Sequence, residues 1–558
     1  MRVTYSHANP RHGNESFLIR FQQKGHQQTP VLLVDSGKGV DVSKLLDDNE
    51  YLLGILLTHA HSDHYQTLPQ NIVDGAKVYT SPDTAAILPE VIRDGIQNGV
   101  KGSVSTVTKS LVPIEEWTEL LNNVRVKPIP AGHCPGASGF LLQFKSDGDW
   151  QSMVITGDFT LSDSAGYPGF PLDMLVDTDA LFLTGTATTT DERVDAIEAA
   201  YEHAISGSRT LVTATGLMGV ELAYQMGHLF SQNNISIPVR IVGHGAKLYN
   251  NLGYDVPGVT AVEKFKRTEP VMDAGAITIS GPQSPTEGSS GRLFGAIRND
   301  TKAALIQVMN NATTPVSEGR CTIRSFTYIA HPTQEEIDEV VETLDPVQVV
   351  ITHQSKRAGD RYKDKYTSYV WAPSDTKQHV LFNRNTWQSP PWVTEQGNQL
   401  IKGHHSKAAT NSIDISGDVP TPSIAPTGQF TPQAEGFADT AFSQLTRSTP
   451  QYKGGNGVPS DTEPVTETVE GPDSQSLPAP SDPDESSDSN DDAEQLVEAT
   501  VQEAVSPEQE SEWAESHEID GKLFDVGDGQ AILKFDDATD VLKSVQSGST
   551  VSVRITSK

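Results

Sequence analysis

Four side chains that bind metals well crowd into six residues, and they constrain this chain more than anything else in it. In Thr58-His59-Ala60-His61-Ser62-Asp63-His64 the metal-competent residues follow directly on an apolar run, Leu52 to Leu57. The run is short and preceded by polar residues, which predicts a buried strand ending where the ligands begin. His59 and His61 are two apart and face one point on an extended turn. Asp63 and His64 follow at once and face a second. Imidazole nitrogens suit zinc, and a carboxylate completes or bridges such a site.

At 558 residues the chain holds about two to four domains. Its net charge is −32, and residues 461–520 contain 20 Asp or Glu and no Lys or Arg. The acidic body gives no broad electrostatic pull on nucleic acid, so any such binding is local. A body with few lysines suits a high-salt cytoplasm, where charge is screened. Two cysteines, Cys134 and Cys321, make no disulfide framework. Residues 1–20 lack a basic segment with an apolar core, and no apolar run approaches the ~20 residues of a membrane span. A soluble cytoplasmic protein is expected.

Strands are expected at Ser16–Phe21 and Pro30–Asp35. Asp35 then precedes Ser36-Gly37, a composition that favours a turn. Val78–Thr80 reads as a strand and Thr84–Asn98 as a helix, and this alternation argues α/β. A strand from Val124 ends at His133, with Gly132 and Gly136 allowing a tight bend. Ser152–Thr156 ends in Gly157-Asp158. From about 195 to 320 come further strands at Leu211, Val239 and Ala276, and a helix, Val220–Phe230. Ser280 and Gly281 open a Gly/Ser stretch, Gln283 to Gly291, before a helix from about Arg292. Ser280, Gly281, Ser289 and Ser290 there offer a weak anion site. Two more apolar strands end at His331 and His353, with a helix, Thr333–Leu344, between them.

The His-x-His-x-Asp-His run resembles the signature of the metallo-β-lactamase superfamily. The inserted segment with His331 and His353 is similar to its β-CASP nuclease branch, which includes mRNA 3′-end processing endonucleases, ribonuclease J and Artemis. The resemblance implies a four-layer αββα sandwich with an inserted β-CASP α/β domain. It implies that His59, His61 and His133 hold one zinc, that Asp63, His64 and His353 hold another, and that Asp158 bridges both. Asp35 would orient the metal loop, and His331 would be the general acid, so that Asp63, His331 and Asp35 serve catalysis. Manganese is an alternative metal, and Cys134 becomes a packing residue. One position departs from the branch. The acid expected after Leu181–Leu183 is replaced by Thr184-Gly185, with Asp191 or Glu192 as substitutes to orient His331.

The expected layout is a first domain at 1–194, the insertion at 195–320 and a return segment at 321–402. A disordered acidic linker, 403–510, would lead to a small β-rich module at 511–558 that meets a protein partner, nucleic acid or its own copy. The expected function is a metal-dependent phosphodiesterase on nucleic acid. RNA is favoured because His353 follows the RNA-processing pattern, whereas His133-Cys134-Pro135-Gly136 looks more like the DNA-repair members. The alternatives are a DNA repair exonuclease and a non-catalytic subunit of a processing complex.

Overall fold

The computed structural model describes residues 1–175, 178–310, 313–354, 359–408 and 424–442, and the strands 495–503, 517–527, 530–535 and 551–557. Alternate residues of a strand face the same side. Val3, Tyr5, Phe17, Ile19, Phe21, Leu32, Val34 and Leu56 thereby share one buried cluster with Phe140, Leu142, Phe144, Met153, Ile155 and Phe182. The two sets come from different sheets, so the cluster is the seam of a sandwich. The Phe17 and Phe182 rings stack across it, centroids 4.8 Å apart.

The first sheet runs Thr386–Trp387, His379–Asn383, Arg2–His7, Phe17–Gln22, Thr29–Val34, Glu50–Leu56, Lys77–Thr80 and Leu111–Pro113. The second runs Tyr369–Trp371, Gln348–Thr352, Ala180–Thr184, Asp149–Ile155, Ser138–Ser146, Val124–Pro130 and Thr118–Leu121. The opposite faces of these strands need cover. Leu18, Leu33, Ile55 and Leu57, and from the second sheet Leu181, Leu183, Val349 and Ile351, belong to a cluster that includes Ile87, Leu88 and Ile92 of the helix Pro82–Gln97, and Ile337, Val340 and Leu344 of the helix Gln334–Leu344. The expected sandwich is present. The helix Gln334–Leu344 starts from a capping box in which Thr333 and Glu336 satisfy each other's backbone N–H groups. That cap fixes the chain two residues beyond His331.

A third sheet, all parallel, runs Val259–Val262, Val239–Val242, Ile277–Ser280, Arg209–Thr213, Ala303–Met309 and Thr322–Thr327. Every residue of Ala303–Met309 is buried, as expected of a parallel strand covered on both faces. Thr322–Thr327 falls in the stretch read as the return to the first domain, yet it is the edge strand of this sheet. Its pairing with Ala303–Met309 is non-local, and no turn signal marks it. The helix expected from Arg292 begins at Gly288, so Ser289 and Ser290 lie in its first turn and not in the preceding loop.

Part of the segment read as linker is built into this body. The helix Glu395–Ala408 runs past 403, and residues 424–442 bury Phe430, Glu435, Phe437 and Phe442. The acidic stretch 443–494 lies outside the described residues. The second unit, from Gly454, carries an antiparallel sheet in the order Gln530–Phe535, His517–Gly527, Gln495–Glu503 and Val551–Ser557. Gln495–Glu503 also falls within the expected linker. The short helix expected near Ala538 to Val545 lies outside the described residues. Among the described residues no helix is long and apolar enough to cross a membrane.

Candidate metal centre

The ligand candidates sit where strands of both sandwich sheets end. His59 follows Glu50–Leu56, His133 follows Val124–Pro130, Asp158 follows Asp149–Ile155 and His353 follows Gln348–Thr352. The chain must turn sharply at each of these ends. His133, His353 and Asp35 have φ of 53°, 45° and 52°, a left-handed conformation uncommon outside glycine. Strain of this kind persists only where the surroundings enforce it, and it gathers at functional sites. Gly157, just before Asp158, has φ 59°, and a Cβ there would lie 2.9 Å from Thr58 Cβ, so only glycine lets the two loops approach.

His59 Nε2, His61 Nδ1 and His133 Nε2 form a small triangle. The edges are 3.1 Å, 3.2 Å and 3.0 Å. Ligand atoms about 2.0 Å from a tetrahedral zinc stand about 3.3 Å apart, so the triangle fits one face of such a site. Burial and the neighbouring rings hold His59 and His133 well below the usual histidine range. Burial likewise brings His61 down to about 4, against the pull of Asp63. Three neutral imidazoles aimed at one point are a ligand set. The Nδ1–H of His133 donates to the carbonyl of Ala330, which leaves Nε2 free for a metal.

A second group adjoins the first. His64 Nε2 lies 3.1 Å from Asp158 Oδ2 and 3.9 Å from Asp63 Oδ2. His353 Nδ1 lies 2.7 Å from Asp158 Oδ1, and its Nε2 lies 3.8 Å from Asp63 Oδ2. Asp158 Oδ2 is also 4.0 Å from His59 Nε2, so this carboxylate stands between the two groups. Burial opposes charge on His64, but Asp158, Asp35 and Asp63 outweigh it and hold the ring well above its usual range. His353 is raised in the same way, against burial, by Asp158 first. Asp158 is buried, yet His353, His331 and His64 keep it well below the usual carboxylate range. Anionic oxygens and basic imidazoles gathered here suit a divalent cation, which would displace the protons.

All seven expected ligands, His59, His61, Asp63, His64, His133, Asp158 and His353, fall into overlapping groups whose ligand atoms lie within 4.8 Å of one another. His331 joins His133 and Asp158 in one of these groups. Asp35 stands behind the cluster and binds the ring of His64.

Thr184 does not do the work of an acid for His331. Its hydroxyl donates to Asp158 Oδ1 at 3.0 Å. Asp191 grips Arg193 in a fork of 2.8–3.0 Å, and Glu192 accepts from the Thr327 N–H. Neither replaces the missing acid. His331 Nδ1 is buried without a hydrogen-bond partner, while Nε2 lies 3.6 Å from Asp158 Oδ2.

Among the expected anion-binding residues, Ser290 donates to the carbonyl of Pro282, and Ser280 hydroxyl to that of Gly281. These hydroxyls shape their own loop. Ser289 lies against Gly243, where a Cβ would meet its Oγ at 2.7 Å. One contributor went unnoticed in the sequence. The His353 N–H donates to the Asn14 carbonyl, and Glu15 beside it is buried, its carboxyl pushed up to about 7 by burial. Nothing in Gly13-Asn14-Glu15 marks it as neighbour to a residue more than three hundred positions away.

Residues 32–227 match a family described as a beta-lactamase superfamily domain. A stretch of 135 residues is 30% identical to DNA ligase 6 of Arabidopsis thaliana and covers 24% of this chain and 9% of that protein. A stretch of 146 residues is 27% identical to endoribonuclease ysh-1 of Neurospora crassa and covers 22% of this chain and 16% of that protein. The chain thus spans a small part of the length of either relative. A crystal structure of a protein of unknown function from Enterococcus faecalis V583 aligns over 68% of this chain and 100% of that one, at 14% identity and a TM-score of 0.49. The matched stretch contains the His59–His64 loop, His133 and Asp158, so these residues lie in a region similar to a beta-lactamase superfamily domain, a fold that implies a divalent metal at such a set.

Proposed function

We propose that this protein is a two-zinc phosphodiesterase of β-CASP type that hydrolyses nucleic acid, with RNA preferred. The observation that carries the reading is the origin of His331. The edge strand of the inserted sheet, Thr322–Thr327, leads straight to His331, and the ring ends 5.2 Å from that of His133 and 5.7 Å from that of His353. A separate lobe therefore delivers a non-ligand imidazole to the metal cluster. That is the arrangement needed to protonate a leaving oxygen beside a metal-held phosphate.

Divalent ions bound at the two groups would supply a water of lowered pKa and would neutralise charge on the phosphoryl oxygens. His59, His61 and His133 would hold one ion and Asp63, His64 and His353 the other, with Asp158 between the two groups. Asp35 keeps His64 in the tautomer whose Nε2 points inward. His331 holds the proton that the leaving oxygen takes. The helices Gly216–Gln232, His244–Asn251 and Gly288–Ile297 begin where parallel strands of the inserted sheet end, on the same side of the sheet from which Thr322–Thr327 leads to His331. Their first-turn N–H groups, apart from that of Ser290, which donates to the Gly281 carbonyl, offer places for phosphates of a nucleic-acid strand.

The relatives support nucleic acid as the substrate class, since one is named an endoribonuclease and the other a DNA ligase. DNA is the second reading, favoured by the His133-Cys134-Pro135-Gly136 bend. The test is digestion of matched end-labelled single-stranded RNA and DNA in one reaction at one salt concentration, with zinc or manganese supplied. Faster RNA cleavage is expected. A clear excess of DNA cleavage would replace RNA by DNA, and metal-loaded protein that cuts neither would defeat the enzyme.

A further inference from the structure

Residues 424–442 contain a carboxylate that no motif or periodicity marks. Glu435 is 1% exposed. Its two oxygens accept from the Ala165 and Gly166 N–H groups at 3.0 Å and 2.8 Å, in the metallo-β-lactamase domain. The same carboxylate accepts from Gln225 Nε2 at 3.1 Å, on the helix Gly216–Gln232 of the inserted lobe. One buried side chain thus joins the two lobes. Phe430 reinforces the junction by stacking on His228, with centroids 5.5 Å apart.

The junction leads to His331 through Arg193. The Glu435 carbonyl accepts from Arg193 at 3.4 Å, and the Phe437 ring lies 4.8 Å under the guanidinium. The same guanidinium sits 4.5 Å over the Tyr328 ring and donates to Glu221 at 3.1 Å. The Tyr328 hydroxyl also donates to Glu221, at 2.8 Å. Tyr328 bridges to Asp191 through the backbone, and Asp191 is clamped to Arg193. From Tyr328 the chain reaches Ala330, whose carbonyl takes the His133 Nδ1–H, and then His331. A buried cation between two aromatic faces and a set of carboxylates is a stiff, directional contact. It stands in for the support that His331 lacks at Nδ1.

We propose that residues 424–442 belong to the catalytic assembly as a positioning segment, in which Glu435 and Phe437, acting through Arg193, hold the Tyr328–His331 loop against the metal cluster. The inference rests on the phosphodiesterase reading for its kinetic test and on geometry alone for its structural one.

The experiment uses full-length protein carrying Glu435→Ala, Phe437→Ala or Phe437→Tyr. Rates are measured on end-labelled RNA and on bis(p-nitrophenyl) phosphate, whose leaving group departs without a proton. Displacement of a reacting group by about 1 Å costs up to ~10²-fold, so Glu435→Ala and Phe437→Ala are expected to lose roughly tenfold or more on RNA. The p-nitrophenyl ester should lose less than about twofold, with metal content unchanged, and neither alanine substitution should add a further loss on RNA in a His331→Ala background. Phe437→Tyr keeps the aromatic face and should stay near the parent. Hydrogen exchange of amides 327–331 should speed up in both alanine variants while the sandwich strands keep their protection. Equal losses on both substrates, loss of metal, or unchanged exchange at 327–331 each overturn the proposal. A parent that cleaves neither substrate overturns the enzyme reading alone, and hydrogen exchange then decides whether the segment positions the loop.

Discussion

Asp35 Oδ2 and His64 Nδ1 stand 2.8 Å apart, in a pair buried behind the metal groups. The other oxygen of Asp35 accepts from the Thr58 N–H at 2.8 Å, which fixes the start of the His59–His64 loop. The pair sets which ring nitrogen of His64 is available for a metal, because a proton kept on Nδ1 leaves Nε2 with its lone pair facing Asp158. An asparagine can offer its N–H₂ to Nδ1 and drive the proton to Nε2. Asp35→Asn is therefore expected to bind the second metal about 10–100-fold more weakly while the three-histidine site is nearly unaffected. Metal titration resolves two affinities, and parent-like values for both would show that Asp35 serves only the fold.

Asp158 makes a different prediction. It faces His64, His353, His331 and His59, so it stands between the two groups of candidate ligands. Asp158→Ala should lower the bound metal from about two ions per chain to fewer than one, together with activity. Elemental analysis after gel filtration in zinc measures it. A variant that keeps one full equivalent would place Asp158 in one group only.

His331 is expected to act on a proton and not on a metal. His331→Ala should keep both metals and lose about 10²-fold or more in rate on RNA. A p-nitrophenyl ester should be largely spared. Loss of a metal equivalent in this variant would exchange the roles assigned to His331 and His353.

The candidate ligands could be picked out because the segments that carry them follow apolar runs, and a strand that ends in His or Asp can be read locally. The pairing that gathers them was not. Arg2–His7 pairs with Phe17–Gln22 on one side and with His379–Asn383 on the other, and nothing near either segment announces the second partner. Gly288-Ser289-Ser290 read as loop because its residues favour turns, but the first turn of a helix accepts them. Glu435 was hidden for a related reason. It lies among Thr, Pro, Gly and Gln, a composition that suggests disorder, and only Phe430, Phe437 and Phe442 hint that this stretch packs. The absent acid at Thr184 was visible in the sequence, whereas the unpaired Nδ1 of His331 needed the structure.

The Arg193 cluster also predicts how stability varies with pH. Glu221 is 2% exposed and sits with Glu435 and Asp191 around one guanidinium. Burial pushes its carboxyl from 4.5 up to about 7, with Arg193 opposing and Glu435 adding to the rise. The folded protein therefore holds a proton that the unfolded chain has released once pH exceeds the ordinary glutamate range. The folded state binds more protons between about pH 4.5 and 7, so this group's stabilisation is full below that range and fades as pH rises through 7. Glu221→Gln keeps the shape and the acceptor for Tyr328 and Arg193 but cannot ionise. The variant should match the parent near pH 5 and gain on it as pH rises, by at most on the order of 3 kcal/mol at pH 8. Thermal melts of parent and variant at the same metal concentration, from pH 5 to 8, give the difference directly, because metal linkage is common to both. A difference in melting temperature that stays flat across this range would show that Glu221 is already ionised in the fold, held so by Arg193.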